Sequence, residues 1–204
     1  MGATPVKGWP YPVGTDKVVD GDNAIKAVAD MLDARMGMYV CKPSTVLNGT
    51  INPDGSVTAN ASSGWVELRG VFSAAFRFYR VVYAITGGNA VAAAARLMVG
   101  TAQVQDAGAY PTQRWFASGS SLQGAQSTDN LAYIGSVLAA QHQGELLVFN
   151  PADATQPTSW VGSDLAASLP GGAGMMRAVN AAEDGIAIQK TAADTKGYIK
   201  VFGL

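Results

Sequence analysis

The run Phe76-Arg77-Phe78-Tyr79-Arg80-Val81-Val82-Tyr83-Ala84-Ile85 closes the stretch from Phe72 that decides how this chain is read. Aromatic and β-branched residues dominate it, and both suit a pleated strand whose side chains alternate between two faces. Phe76, Phe78, Arg80 and Val82 point one way, while Arg77, Tyr79, Val81, Tyr83 and Ile85 point the other. Apolar residues on both faces predict a strand covered twice, in the centre of a sandwich or at a subunit interface. Thr86-Gly87-Gly88-Asn89 then reads as a turn.

Working outward, short strands recur along the rest of the chain. Gly64 to Arg69 alternates, and Ala95 to Val99 reads as a strand although the alanines before it favour helix by propensity. Residues 113–117, 132–138, 144–149, 158–162, 175–179, 185–189 and 198–202 complete the set. Gly, Asp and Pro punctuate the connections, as they do in a β-sandwich or jelly roll, and no fixed-period repeat is present. Thr50 to Val57 reads as two short strands around Asn52-Pro53-Asp54-Gly55. Met38 to Cys41 is a short strand candidate.

The N-terminal stretch is different in texture. In Gly8-Trp9-Pro10-Tyr11-Pro12 the prolines fix φ and push the preceding residues toward extended conformations, so Trp9 and Tyr11 project from a stiff arm without a core of its own. A partner surface is expected to receive Trp9, Pro10, Tyr11 and Pro12. From Asp22 to Met36 the pattern turns helical, with Ile25, Val28, Leu32 and Met36 on one stripe. A helix of about four turns is marginal alone in water, so the stripe must be buried against this chain or against other copies; other copies are favoured. The expected organisation is an arm and trimerisation helix over 1–40, a connecting β-turn segment over 41–64, and an antiparallel β-sandwich, jelly-roll-like, over 65–204.

Composition narrows the function classes. Charged residues are 14%, glycines number 24 and the net charge is −1, so nothing steers the chain to nucleic acid or an anionic membrane. The opening residues lack an apolar h-region, no secretory signal is expected, and no apolar run approaches bilayer length. The single Cys41 fits a reducing cytoplasm and a small buried hydrophobe.

Gly8 to Pro12, then Gly14-Thr15-Asp16, then Val18-Val19-Asp20-Gly21-Asp22-Asn23-Ala24-Ile25-Lys26-Ala27-Val28-Ala29-Asp30-Met31-Leu32-Asp33-Ala34-Arg35 resembles the N-terminus of virion structural proteins of actinobacteria-infecting tailed phages. These are minor tail proteins, tail fibres, and head-fibre or capsid decoration proteins. The resemblance covers roughly residues 4–36, with Tyr198 to Leu204 similar in style to a last strand of their β-domains. It implies a homotrimer assembled in the host cytoplasm and carried on the virion, contacting other virion proteins of the tail or capsid.

Catalysis is not expected. His142, the one histidine, stands in polar Ala140 to Gly144 and reads as a solvated loop residue. Gly119 to Gly124 misses the Gly-x-Ser-x-Gly elbow, no phosphate loop is present, and one His with one Cys makes a metal site or cofactor improbable. Glu67, Glu145 and Glu183 are the glutamates, and Asp106, Asp129, Asp153 and Asp164 fall in expected loops as solvated charge. For contact with a host surface glycan, Tyr110 and Trp160 are the named candidates, with Trp115 beside them; each reads as readily as core. The expected function is a non-enzymatic tail-fibre or minor tail protein, with capsid decoration and a carbohydrate-binding module as the alternatives.

Overall fold

The computed structural model describes residues 2–3, 10–11, 38–118, 121–134, 139–166, 169–177, 181–190 and 194–204. It divides into two compact units, Met1–Tyr39 and Val40–Leu204. In the first, β1 (Gly2–Ala3) and β2 (Pro10–Tyr11) pair antiparallel, Gly2 opposite Tyr11 and Ala3 opposite Pro10. The expected helix with Ile25, Val28, Leu32 and Met36, and the docking residues Trp9 and Pro12, lie outside the described residues.

After β3 (Tyr39–Val40), the second unit is built of antiparallel strands, and the described residues contain no helix. Its first half carries β4 (Thr45–Leu47), β5 (Gly49–Ile51), β6 (Val57–Ala61), β7 (Val66–Arg69), β8 (Phe78–Val91), β9 (Ala93–Val99) and β10 (Ala102–Gln103). Then come β11 (Tyr110–Ser118), β12 (Ser121–Asp129), β13 (Ala132–Tyr133), β14 (Ala139–Phe149), β15 (Ser159–Ala166), β16 (Leu169–Met176), β17 (Gly185–Lys190) and β18 (Thr195–Gly203). One sheet runs β10-β9-β17-β7-β4 with β13 added beside β9; the larger runs β12-β11-β16-β15-β14-β8-β18-β6-β5.

β8 is the axis of the larger sheet, paired on one side with β14 and on the other with β18. Its alternation sends Tyr79, Val81, Tyr83 and Ile85 into the core. Leu146 and Val148 of β14, Ile199 and Val201 of β18 and Val57 of β6 join them there. The smaller sheet adds Leu68, Leu97, Ile186 and Ile188 to the same cluster. Each such aliphatic side chain, fully removed from water, contributes about 1.5–3 kcal/mol. The opposite face of β8, with Phe78, Arg80 and Val82, is left partly or fully exposed by the chain itself, so within one chain the strand is not at the centre of a sandwich.

Several local expectations change. The strand begins at Phe78, because 72–77 loops back onto it: Phe72 packs edge-on against Tyr79 at 4.7 Å, and the Tyr79 hydroxyl donates to Ser73 O at 2.6 Å. The strand also continues through Thr86 to Asn89 rather than turning, and Gly88 N–H donates to Asp194 Oδ1 at 2.6 Å. Gly87 permits that approach, since a Cβ there would sit 2.1 Å from Asp194 O. Residues 41–64 contribute to both sheets: β4 enters the smaller one, and β5 and β6 form a hairpin in the larger one. The alanines of β9 are strand because a buried, close-packed ladder has room for little else. β12 has no counterpart in the sequence pattern: Ser121 to Asp129 is largely polar, and the strand is set by pairing with β11 over Tyr110 to Ser118.

Gly197 marks a very close strand approach in the larger sheet. It lies opposite Ile85 and Ala59 with φ +131°, and a Cβ there would meet Ala84 O at 2.0 Å. Gly197→Ala is expected to cost about 2–4 kcal/mol through backbone strain and overpacking, measured by urea denaturation. Parental stability in that variant would contradict the close approach.

Candidate functional site

Strand phase decides which aromatics face outward. On β11, Tyr110, Thr112 and Arg114 point inward and Pro111, Gln113 and Trp115 outward; Trp160 points inward from β15. Tyr110 and Trp160 are 0% and 2% exposed, with rings stacked at 6.3 Å, so neither offers a face to a sugar. The Tyr110 hydroxyl instead ties the two sheets, accepting from Leu97 N–H at 2.9 Å and donating to Val104 O at 3.0 Å. Burial pushes its pKa up to about 12, which keeps it a donor. Trp115, by contrast, is 48% exposed.

His142 is not a solvated loop residue. It lies within β14, fully buried, with Nδ1 2.7 Å from Asp164 Oδ2 and Nε2 2.8 Å from Val91 O. Asp164, expected in a loop, lies in β15 opposite Gly144. The Val91 carbonyl can only accept, so Nε2 donates to it, and Nδ1 faces the Asp164 carboxylate. Both ring nitrogens are thereby occupied, which leaves none to serve a substrate as base or a metal as ligand. Tyr83 joins the cluster: burial, with the Asp164 charge beside it, raises its pKa well above the ordinary value, and its hydroxyl donates to Ile134 O at 3.1 Å.

The glutamates are likewise engaged rather than solvated. Glu67 accepts from Arg69 Nε at 3.0 Å and from Gln103 Nε2 at 2.7 Å. Buried Glu183 pairs with Arg177 and accepts from the Thr158 hydroxyl. Glu145 pairs with Arg80 at 2.6 Å on the outer face of the larger sheet. Among the described residues no group of three or more His, Cys, Asp or Glu could hold a metal ion. Asp153 caps a turn, accepting from Thr155 N–H at 2.9 Å.

The outer face of the larger sheet is open to solvent. Cross-strand register places Val82, Glu145, Ser163, Gly172, Trp115 and Gly124 in one transverse row. A shallow depression of about 320 Å³ lies over part of that row, lined by Val82, Ala84, Gln143, Glu145 and Ser163. The Trp115 ring lies against Gly172, where a Cβ would be 2.6 Å from its ring atoms. Toward the other end of the face sit Leu147, Val161, Phe78 and Phe149, the last two edge-on at 5.5 Å. Nothing in the sequence marked Trp115 above Tyr110 or Trp160, because the strand's phase could not be set from polar flanks.

No family model, curated protein or solved structure matches this chain.

Removing one partner of the buried pair strands the other. Asp164→Leu alone is expected to cost about 3–5 kcal/mol, whereas His142→Leu with Asp164→Leu should lose less than the two single changes summed, read from denaturation midpoints. Burial also pushes the Cys41 thiol up to about 11. The folded thiol therefore holds its proton above the unfolded value, so its stabilising contribution is complete below that value and declines as pH rises toward about 11. Iodoacetamide at pH 8 should label Cys41 slowly in the folded protein and rapidly in urea; equal rates would contradict its burial.

Proposed function

We propose that this chain is a non-enzymatic virion structural protein of the tail-fibre or minor tail kind. In this reading the N-terminal arm docks to the particle through Trp9, Pro10, Tyr11 and Pro12. The helix over residues 22–36 joins three copies along Ile25, Val28, Leu32 and Met36. The β-unit is a sandwich, jelly-roll-like in connection, that faces away from the particle toward the host.

The observation that carries this reading is the outer face of the larger sheet. It exposes Trp115, Phe78 at 46% and Val161 at 52%, more apolar surface than the outside of a self-sufficient sheet requires. The proline-stiffened N-terminal motif and the engagement of His142, Glu67 and Glu183 in structural contacts support a role in assembly and contact over one in catalysis. Prolines 5, 10 and 12 restrict the free arm and so lower the entropy lost on docking.

The purified protein should be a trimer by light scattering coupled to size exclusion, and Leu32→Asp should weaken it by placing a charge in the helix seam. A fusion of residues 1–40 to an unrelated trimeric carrier should bind particles lacking this protein, whereas residues 44–204 should not. Trp9→Ala should weaken the fusion about tenfold, equivalent to ~1.4 kcal/mol. Labelling on the particle separates tail from capsid, where a decoration or head-fibre protein would use the same two parts. Particle binding by residues 44–204 equal to that of the whole chain would overturn the division of labour.

A further inference from the structure

We infer that the row Trp115-Gly172-Ser163-Glu145 is a binding site for a neutral oligosaccharide of at least two pyranose rings. The site deepens the outward-facing role proposed above, but its chemistry rests on its own residues. Three features define it.

The first is the platform. Trp115 lies against Gly172, a position where any side chain would displace the ring, and at 48% exposure part of the indole meets water. A half-exposed indole matches the C–H face of a pyranose, which is apolar while its rim is not. Gly124 and Gly172 flank Trp115 on the neighbouring strands, so no side chain in the row rises beside it to obstruct a ligand.

The second is the polar wall. Two strands from Gly172, about 10 Å at ordinary strand spacing, stands Glu145. Ser163 forms the floor between them, and Gln143 and Glu145 border the depression. Arg80 reaches Glu145 Oε2 from Nε and from Nη2, and Oε1 is the oxygen that would accept from a ligand hydroxyl. A ring stacked on Trp115 and a second ring over Ser163 would together span the distance to this carboxylate.

The third is charge. Arg80 and Glu145 neutralise each other, and Lys200, on the same face, is held by Asp54 at 2.9 Å. An anionic ligand would have to compete with Glu145 for Arg80, and a cationic one with Arg80 for Glu145. A neutral ligand rich in hydroxyls uses both members of the pair without breaking it. Hydrolysis is not part of the inference, because Asp164, next in sequence to Ser163, points to the opposite face and is taken by His142.

The test uses the full chain on a printed array of linear gluco-, galacto- and manno-oligosaccharides together with oligogalacturonates, followed by titration calorimetry with the best binder. Binding to at least one neutral oligosaccharide is expected. Trp115→Ala should lower affinity at least tenfold. Gly172→Val, which displaces the ring but touches no polar partner, should do the same. Glu145→Gln should lower it several-fold, and Val99→Ser, exposed on the smaller sheet, should leave it unchanged. Circular dichroism and thermal melts of each variant report whether it is folded. Absence of any neutral binder, binding to oligogalacturonates alone, or undiminished affinity in folded Trp115→Ala would each overturn the site. If the site fails while the 1–40 fusion still decorates particles, the virion reading stands; if sugar binding holds and particle attachment fails, the reverse is true.

Discussion

Tyr79, Val81, Tyr83 and Ile85 occupy one face of β8, and the dryness of that face is the condition on which the larger unit depends. β14 and β18 flank the strand on either side and supply Leu146, Val148, Ile199 and Val201 in matching phase. A slip of one residue would carry every one of these side chains to solvent, so the hydrophobic pattern pins the register over the whole sheet. The smaller sheet closes the core from the other side with Leu68, Leu97, Ile186 and Ile188.

A core shared by two sheets has to accommodate polar groups where strands approach one another, and at three places this one does so by pairing. His142 with Asp164, Arg177 with Glu183, and the Tyr110 hydroxyl between Leu97 and Val104 are each buried and each partnered. A buried charge without its counterpart costs several kcal/mol, so such groups come as sets and specify one arrangement of strands. Residues weighed for chemistry in the sequence take part in these contacts. His142 has both nitrogens engaged, and Glu67 and Glu183 are held by Arg69 and Arg177.

The outer face of the same sheet follows from the alternation that builds the core. Every inward residue of β8, β14, β15, β16 and β11 has an outward neighbour, and those neighbours form continuous rows across the strands. Along one row the side chains shrink to glycine and serine between Trp115 and Glu145, which turns a flat sheet into a shallow site. Along the adjacent rows Leu147, Val161 and Phe78 make a more apolar surface. Both are consequences of strand order, since β11, β16, β15 and β14 are neighbours in space although β12 and β13 intervene in the chain.

The sequence by itself determined that the chain is mainly β, that the segment ending at Ile85 is its strongest strand, and which residues of that strand share a face. Alternation and β-branched composition are local properties, and they survive folding because a pleated backbone has a fixed period. It also showed Asn52 to Gly55 as a turn, confirmed by Gly55 N–H donating to Asn52 O at 3.0 Å. Only the tertiary structure decided that polar Ser121 to Asp129 is a strand, because its partner β11 imposes the conformation. Only the tertiary structure decided that Thr86 to Asn89 runs on rather than turning, and that Tyr110 and Trp160 are core while Trp115 is surface. The reason is common to all three: strand pairing and the inward phase of a strand are set by neighbours distant in sequence, and no local pattern of residues carries that information.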